Sequence, residues 1–75
     1  MASALVLINV ETGSEVEVQK RLATITGVTE AYQVYGVYDI VTKVEAESMD
    51  KLKDIVTNRI RRLDKVRSTL TTIVM

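Results

Sequence analysis

The stretch NVETGSEVEVQ, residues 9–19, decides the fold, because KVEAESMDKLK, residues 43–53, repeats its pattern. Each stretch joins the end of a strand-like run to a polar break and then to a helix-like pattern. Further along, GVTEAYQV, residues 27–34, aligns with KVRSTLTT, residues 65–72. The offset between the halves grows from 34 to 38 residues, and four residues make about one helical turn. We therefore predict two strand–helix–strand units, the second with a helix one turn longer.

Local signals place the elements of the first unit. Branched aliphatic residues bounded by turn residues predict strands at 4–11 and 28–35. Ser14 stands three residues before Glu17, the spacing of a capping box, so the first helix is predicted to begin there. One face of this helix carries Val18, Leu22 and Ile25. Gly27 is predicted to end the helix, because glycine readily adopts the left-handed conformation of a C-cap.

The second unit follows the same plan. Strands are predicted at 39–46 and 66–75, and Ser48 is predicted to cap the helix between them. The apolar stripe of that helix has a 3.6-residue period and consists of Leu52, Ile55, Val56, Ile60 and Leu63. Two such units predict a ferredoxin-like sandwich of the α+β class, ordered βαββαβ: a four-stranded antiparallel sheet with both helices on one face. The first and third strands are predicted to be central, and residues 1–75 to form a single domain.

The sheet face turned away from the helices is predicted to be apolar. The first strand carries aliphatic residues on both of its sides, at Leu5, Val6, Leu7 and Ile8. In the last strand, Val66, Leu70 and Val74 are predicted to face the helices, and Thr69, Thr71, Ile73 and Met75 to face away from them. Soluble monomers rarely expose such a patch, so we expect a second copy to cover it, giving a homodimer through the sheet faces. Burial of even 600 Å² of apolar surface contributes on the order of 15 kcal/mol before the costs of association.

The composition excludes several functional classes. The 75 residues include no cysteine and no histidine, so thiolate nucleophiles, the usual zinc ligands and the commonest general base are missing. We therefore predict a protein without enzymatic activity, catalytic residues, metal or cofactor. Ten basic and ten acidic residues cancel, which argues against binding nucleic acid through bulk charge. Since no apolar run approaches the roughly 20 residues of a membrane span, we predict a cytoplasmic protein without a membrane partner.

The stretch VYGVYDIVTKVE, residues 34–45, concentrates polar and aromatic groups at the predicted turn between the second and third strands. All the aromatic residues of the chain lie in or beside it, at Tyr32, Tyr35 and Tyr38. One interpretation is an ordinary hairpin, in which Gly36 supplies a positive φ, Asp39 bonds to the turn backbone and the tyrosines pack at the sheet edge. The other is a binding site, because aromatic walls with one carboxylate suit a small amphoteric ligand.

The combination of this turn with the last strand resembles a known family. The order of YGVYDIVTKV, a helix and KVRSTLTTIVM is similar to the effector-binding (RAM) domain of Lrp/AsnC, or feast/famine, transcriptional regulators. The glycine-x-tyrosine-aspartate turn matches at Gly36, Tyr38 and Asp39, and the paired threonines match at Thr69 and Thr71. Threonine is also simply a good β-former, so either motif alone is weak. The resemblance covers essentially the whole chain.

The resemblance implies a function. In that family the domains dimerise through their sheets, the dimers assemble into rings such as octamers, and amino acids bind where dimers meet. The matched residues Gly36, Tyr38, Asp39, Thr69 and Thr71 are therefore expected to bind the ligand, and we predict that Tyr35, in the same turn, binds it with them. Family regulators normally begin with a helix-turn-helix domain, for which this chain has no room. We therefore expect a stand-alone amino-acid sensor that does not contact DNA directly and that modulates full-length Lrp/AsnC regulators.

Three alternatives stay open. An ACT-type regulatory domain shares this topology and binds amino acids by the loop after the first strand, here ETGSE, residues 11–15. A structural module that assembles without a ligand would also explain an apolar sheet face. The cluster RIRRLDKVR, residues 59–67, could meet phosphates, although cations are also favoured near a helix C-terminus by its partial negative charge. An RNA-binding RRM is disfavoured, because its sheet needs stacking aromatic rings and this chain has no phenylalanine.

Overall fold

The strands and helices follow the predicted order in the computed structural model, which describes residues 1–74. The strands are β1 (Ala2–Val10), β2 (Val28–Gln33), β3 (Ile40–Ala46) and β4 (Val66–Val74). The helices are α1 (Glu15–Leu22) and α2 (Met49–Asp54), and α2 continues as a π-helical segment (Ile55–Ile60). All neighbouring strands are antiparallel in the order β2-β3-β1-β4. The predicted ferredoxin-like fold, with β1 and β3 central, is confirmed. Met75, predicted to end the last strand, lies outside the described residues.

The core lies between one face of the sheet and the two helices. On β1 every second residue, Ala4, Val6 and Ile8, is fully buried, and Ile40 and Val44 of β3 lie beside them. The helices supply Val18, Leu22, Leu52, Val56 and Ile60. Side chains alternate between the two faces of a strand, and a helix presents one stripe every 3.6 residues. The apolar side chains of both kinds of element therefore meet on the covered face of the sheet. The whole core of the described chain is therefore on one side of the sheet.

The two helix starts differ from each other. The Ser48 side chain accepts a hydrogen bond from the backbone N–H of Lys51 at 3.2 Å, so the predicted N-cap of α2 is confirmed. The capping box predicted at Ser14 is wrong, because the Ser14 side chain makes no cap hydrogen bond. Its φ of −101° and ψ of 7° are not the extended conformation that turns a capping side chain towards the first helical N–H groups. Glu17 instead forms a salt bridge on the helix surface, with its Oε2 3.8 Å from Arg21 Nε.

The first helix is shorter than predicted, and the second is one turn longer than the first. α1 ends at Leu22, earlier than predicted, and a tighter turn follows, with Ile25 N–H bonded to the Leu22 carbonyl at 3.0 Å. Gly27 does adopt a positive φ of 104°, at the entry to β2. In the second unit α2 and the π-helical segment together run from residue 49 to residue 60, four residues longer than α1. The predicted extra turn is confirmed.

A β-bulge in β4 contradicts the faces predicted for that strand. Val10 pairs with Val66, whereas the preceding residue, Asn9, pairs with Ser68. Arg67 is therefore an extra residue, and it reverses the alternation of the rest of β4. Thr69, Thr71 and Ile73 lie opposite Ile8, Val6 and Ala4 on the covered face, and Leu70 and Val74 lie on the opposite face. The prediction was right for Val66 and wrong for the residues beyond the bulge.

The face without helices, called the open face, is apolar as predicted. Its apolar residues are Leu5 and Leu7 of β1, Tyr32 of β2, Val41 of β3, and Leu70 and Val74 of β4. Leu5, Leu70 and Val74 keep 39%, 48% and 47% of their surface exposed. The bulge changes which residues of β4 contribute to this patch, because Leu70 and Val74 join it and Ile73 leaves it. That a second copy covers the open face stays a prediction.

Candidate functional site

The turn between β2 and β3 is a hairpin loop whose tip stands away from the body of the molecule. The backbone N–H of Val34 donates to the carbonyl of Asp39 at 2.9 Å and closes the loop. Gly36 has a φ of 147°, which confirms the predicted positive φ, and no atom lies within 4 Å of a Cβ placed there. Tyr35 is fully exposed and Val37 is 83% exposed. The tip of the loop therefore exposes apolar groups.

Asp39 is fixed by β1 rather than by the turn itself. Its backbone N–H donates to the Ile8 carbonyl at 2.9 Å, and its carboxylate Oδ2 accepts from the Val10 N–H at 2.9 Å. Because β3 begins only at Ile40, this side chain supplies one further rung of the β1–β3 hydrogen-bond ladder. A carboxylate has about four acceptor positions, so the remaining ones stay available to a ligand.

Two clefts meet at Asp39. The first, called the hairpin cleft, has a volume of about 310 Å³ and is lined by Glu15, Gln33, Val34, Tyr35 and Asp39. The second, called the bulge cleft, has a volume of about 410 Å³ and is lined by Asn9, Val10, Thr12, Asp39, Arg67 and Ser68. Ligand sites commonly have volumes of roughly 300–1,000 Å³, so both clefts are large enough for a small molecule.

Hydrogen bonds fix the walls of these clefts. In the hairpin cleft, Gln33 Nε2 donates to Gln19 Oε1 at 2.7 Å, and Gln19 Nε2 donates to the Ala31 carbonyl at 2.8 Å. In the bulge cleft, Asn9 Nδ2 donates to Ser68 Oγ at 3.2 Å. Gln33 in the hairpin cleft and Asn9 and Ser68 in the bulge cleft are thus held by bonds between neighbouring elements.

The structure brings together only some of the predicted site residues. Tyr35 and Asp39 line the same cleft, whereas Gly36 and Tyr38 line neither of the two. Thr69 pairs with Ile8 of β1, and β1 lies between β4 and β3. Two strand spacings, or about 10 Å, therefore separate the backbone of Thr69 from that of β3. Thr69 and Thr71 were predicted to face away from the helices; the bulge places both on the covered face, half-buried. Within one chain they do not join Asp39.

Arg67 was missed by the prediction of the site. The sequence placed it only in the basic cluster of residues 59–67, where solvation at a helix end was one interpretation. Its position in the bulge cleft depends on the extra residue in β4, which no local pattern reveals. The loop after β1, the rival site of an ACT-type domain, also borders these clefts, with Thr12 in one and Glu15 in the other.

Tyr32 lies near the Glu30 carboxylate on the open face. The pKa of Tyr32 is raised above its ordinary value, first by hydrogen bonding with the Glu30 side chain and then by desolvation and the negative charge of that carboxylate. Among residues 1–74, no three Asp, Glu, His or Cys side chains cluster as a metal site would require. Nor does that part of the chain contain a helix with the length and apolarity needed to cross a membrane.

The fold and the turn define a class: a small ferredoxin-like domain with its candidate site where β2 and β3 meet. The family model for the Lrp/AsnC ligand binding domain matches residues 3–75. The chain belongs to this family, and the resemblance inferred from Gly36, Tyr38, Asp39, Thr69 and Thr71 is confirmed at the level of the family.

Solved structures agree with this assignment. FFRP-DM1 is 36% identical, with a TM-score of 0.96 over the full length of both chains. A hypothetical protein, PHS023, from Pyrococcus horikoshii is also 36% identical, with a TM-score of 0.94, all of this chain covered and 90% of that one. E. coli AsnC is 31% identical, with a TM-score of 0.91, and the match covers 99% of this chain but 50% of AsnC. The same domain thus occurs as a short chain and as half of a longer one.

Curated relatives include enzymes of much greater length. A homocitrate synthase from Sulfurisphaera tokodaii is 45% identical over 58 residues, which are 77% of this chain and 12% of the enzyme. A homocitrate synthase from Saccharolobus islandicus is 42% identical over 72 residues, which are 92% of this chain and 15% of the enzyme. The similarity is therefore to a small part of each enzyme.

Proposed function

We propose that this chain is a regulatory module that senses a small amino acid at the turn between β2 and β3. The observation that carries the proposal is the Asp39 carboxylate, held by the Val10 N–H at 2.9 Å beside the exposed ring of Tyr35. A carboxylate already oriented by the backbone binds an ammonium group without a further loss of side-chain freedom. The family to which the chain belongs, a ligand binding domain, supports this interpretation.

The proposed site is completed by another copy of the chain. Asp39 binds the ammonium group and Tyr35 forms an apolar wall. Gly36 and Tyr38, which line neither cleft within one chain, join the site at the contact with the other copy. Thr69 and Thr71 contribute hydroxyl groups, but β1 separates them from Asp39 within one chain. Threonines from a neighbouring copy therefore provide the remaining polar contacts. Such a site responds to assembly, because it is complete only where subunits meet.

The assembly we propose begins with a homodimer through the open faces. The exposed fractions of Leu5, Leu70 and Val74 are unusual for side chains of a β-sheet that stays in water. Pairing two open faces would give each short chain a second apolar core. Rings of such dimers, for example octamers, then juxtapose the hairpin loops of different dimers. Ligand binding where dimers meet shifts the balance between assembly states.

The output of this sensor is proposed to be the control of another protein. In the first version the chain assembles with full-length Lrp/AsnC regulators and alters their DNA binding without contacting DNA itself. The resemblance to E. coli AsnC over half of that protein supports this version. It predicts mixed assemblies between the chain and a regulator of the same family.

A second candidate function is amino-acid-dependent control of an enzyme. The identity of 42–45% to a small part of homocitrate synthases favours this candidate. In this version the chain carries no catalytic group of its own and changes the activity of an attached or associated synthase. The two versions are separated by assaying a homocitrate synthase with the amino acid that binds this chain, in the presence and in the absence of the chain. The second version predicts that turnover changes when the chain is present, and the first predicts that it does not.

A thermal-shift screen against the twenty standard amino acids tests the proposal, with light scattering to follow assembly. At a hundredfold excess over Kd a ligand adds about 2.7 kcal/mol to the free energy of unfolding. We expect Asp39→Asn to abolish the shift, because the amide oxygen still accepts from Val10 N–H while the negative charge is lost. The matched control is Glu11→Gln, which removes one charge from the rival loop. Silence from all twenty amino acids would leave a structural module as the better interpretation.

A further inference from the structure

We propose that Arg67 binds the carboxylate of the ligand, in the bulge cleft, while Asp39 binds its ammonium group. This inference rests on the proposed function and adds to it a residue and a second cleft. Its ligand is the dipolar main-chain group common to all free α-amino acids, which carries one charge of each sign.

The β-bulge is the reason why Arg67 reaches this cleft. Asn9 and Val10 are consecutive in β1, but their partners Ser68 and Val66 are separated by Arg67. A bulge leaves its extra residue without a partner in the ladder and changes the direction of its side chain. Arg67 consequently lines the same cleft as Asp39, the residue that precedes β3.

Asp39 and Arg67 give the cleft one negative and one positive charge, and the two side chains do not form a salt bridge with each other. The three salt bridges within residues 1–74 join Glu17 to Arg21, Glu45 to Lys43, and Glu47 to Lys51. Asp39 and Arg67 thus line one cleft without approaching within 4.0 Å as an ion pair. Arg67 would repel a simple cation and Asp39 a simple anion, whereas a dipolar ion is attracted at both ends. The planar guanidinium also matches a carboxylate with two parallel hydrogen bonds.

The rest of the cleft is compatible with such a ligand. Its volume of about 410 Å³ leaves room for more than the main-chain group, and Asn9, Thr12 and Ser68 supply further polar atoms. Asp39 also borders the hairpin cleft, where Tyr35 lies. An ammonium group at Asp39 is therefore at the junction of the two clefts, so the side chain of the ligand extends towards Tyr35.

The test compares Arg67→Gln with Arg62→Gln. Arg62 belongs to the same basic cluster and lines neither cleft, so it controls for the loss of one positive charge. The probes are the amino acid that gives the largest thermal shift, the matching primary amine without the carboxylate, and the N-acetyl derivative without the ammonium group. Isothermal titration gives the affinity of each variant for each probe, and circular dichroism verifies that both variants fold.

We expect Arg67→Gln to weaken binding of the amino acid at least tenfold and to change the affinity for the primary amine less than twofold. Asp39→Asn should show the reverse selectivity, losing the amine while retaining the N-acetyl derivative. Arg62→Gln should bind all three probes like the parent chain. If an amino acid binds and Arg67→Gln binds it as well as the parent, this inference is wrong and the proposed function stands. If none of the twenty amino acids binds, both are wrong.

Discussion

The two faces of the sheet are built from the same strands and end in different environments. On β1, Val6 and Ile8 are fully buried under the helices, while Leu5, next to Val6 in the sequence, keeps 39% of its surface exposed on the open face. The side chains are chemically alike, so the difference comes from the topology, which places both helices on one side. This sequence therefore encodes two apolar layers, one on each face of the sheet, and a single chain covers only the layer under the helices. Four substitutions test this contrast.

The largest effect is expected from a charge on the open face. Leu70→Lys would place two ammonium groups, one from each copy, inside the proposed dimer interface. Because unpaired buried charges are costly, we expect Kd for self-association to rise at least a thousandfold, or about 4 kcal/mol. Sedimentation equilibrium at micromolar concentrations measures it. Thr57→Lys is the matched control, because it adds the same charge at an exposed position of the helix layer, away from the open face. A parent chain that sediments as a monomer would show that the open face does not form an interface.

Ile8→Ala tests the covered face. Ile8 is fully buried within the chain, so truncation leaves a cavity whatever the state of assembly. We expect the free energy of unfolding to decrease by about 3 kcal/mol. Urea denaturation at several protein concentrations distinguishes the faces, since this loss should not vary with concentration. A loss that disappears on dilution would show that the two layers are not independent.

Gly27→Ala tests how tightly the helix layer closes on the sheet. A Cβ at Gly27 would lie 2.7 Å from Ile55 Cδ1 and 3.0 Å from the Glu45 carbonyl oxygen, at a φ of 104°. We expect destabilisation by about 2 kcal/mol from crowding and backbone strain together. Gly36→Ala is the matched control, because no atom lies within 4 Å of its Cβ and only the strain at φ 147° remains, about 1 kcal/mol. Equal losses in the urea midpoints would argue against close packing at Gly27.

Thr42→Val is expected to have the smallest effect, and a stabilising one. Thr42 Oγ1 is buried on the covered face without a hydrogen-bond partner in residues 1–74. Replacing an unsatisfied hydroxyl with a methyl group of similar shape should raise the free energy of unfolding by about 1 kcal/mol. The matched change on the open face is Thr72→Val, for which we expect a change within about 0.5 kcal/mol. Calorimetric midpoints compare the two, and destabilisation by Thr42→Val would indicate a partner for its hydroxyl.

Most of the fold was accessible from the sequence because it depends on repeated and local signals. The internal repeat predicted the order of elements and the longer second helix, and Ser48 predicted a helix start that the structure confirms. Ser14 has in addition the capping-box spacing to Glu17, and the prediction fails there because the backbone conformation does not point the side chain at the helix. The π-helical segment had no signal either, since its buried residues fit the period of an ordinary helix.

The site was less accessible, and one residue explains why. Alternation in β4 was counted from Val66, which the structure confirms on the covered face. Arg67 then adds one residue to the strand, so Thr69 and Thr71 change sides and Arg67 itself enters the bulge cleft. Pairing with β1 determines this insertion, and pairing is a property of two distant segments. Local pattern therefore predicted the composition of the site better than its arrangement.

The bulge has a further consequence at the rim of the sheet. β4 is an outer strand of nine residues, and the outward backbone groups of such a strand are a template on which a foreign extended chain could polymerise. Arg67 interrupts the regular spacing of those groups and adds a positive charge, both of which oppose lateral growth. The edge of β4 is therefore a poorer template for fibril growth than a regular, uncharged strand of the same length would be.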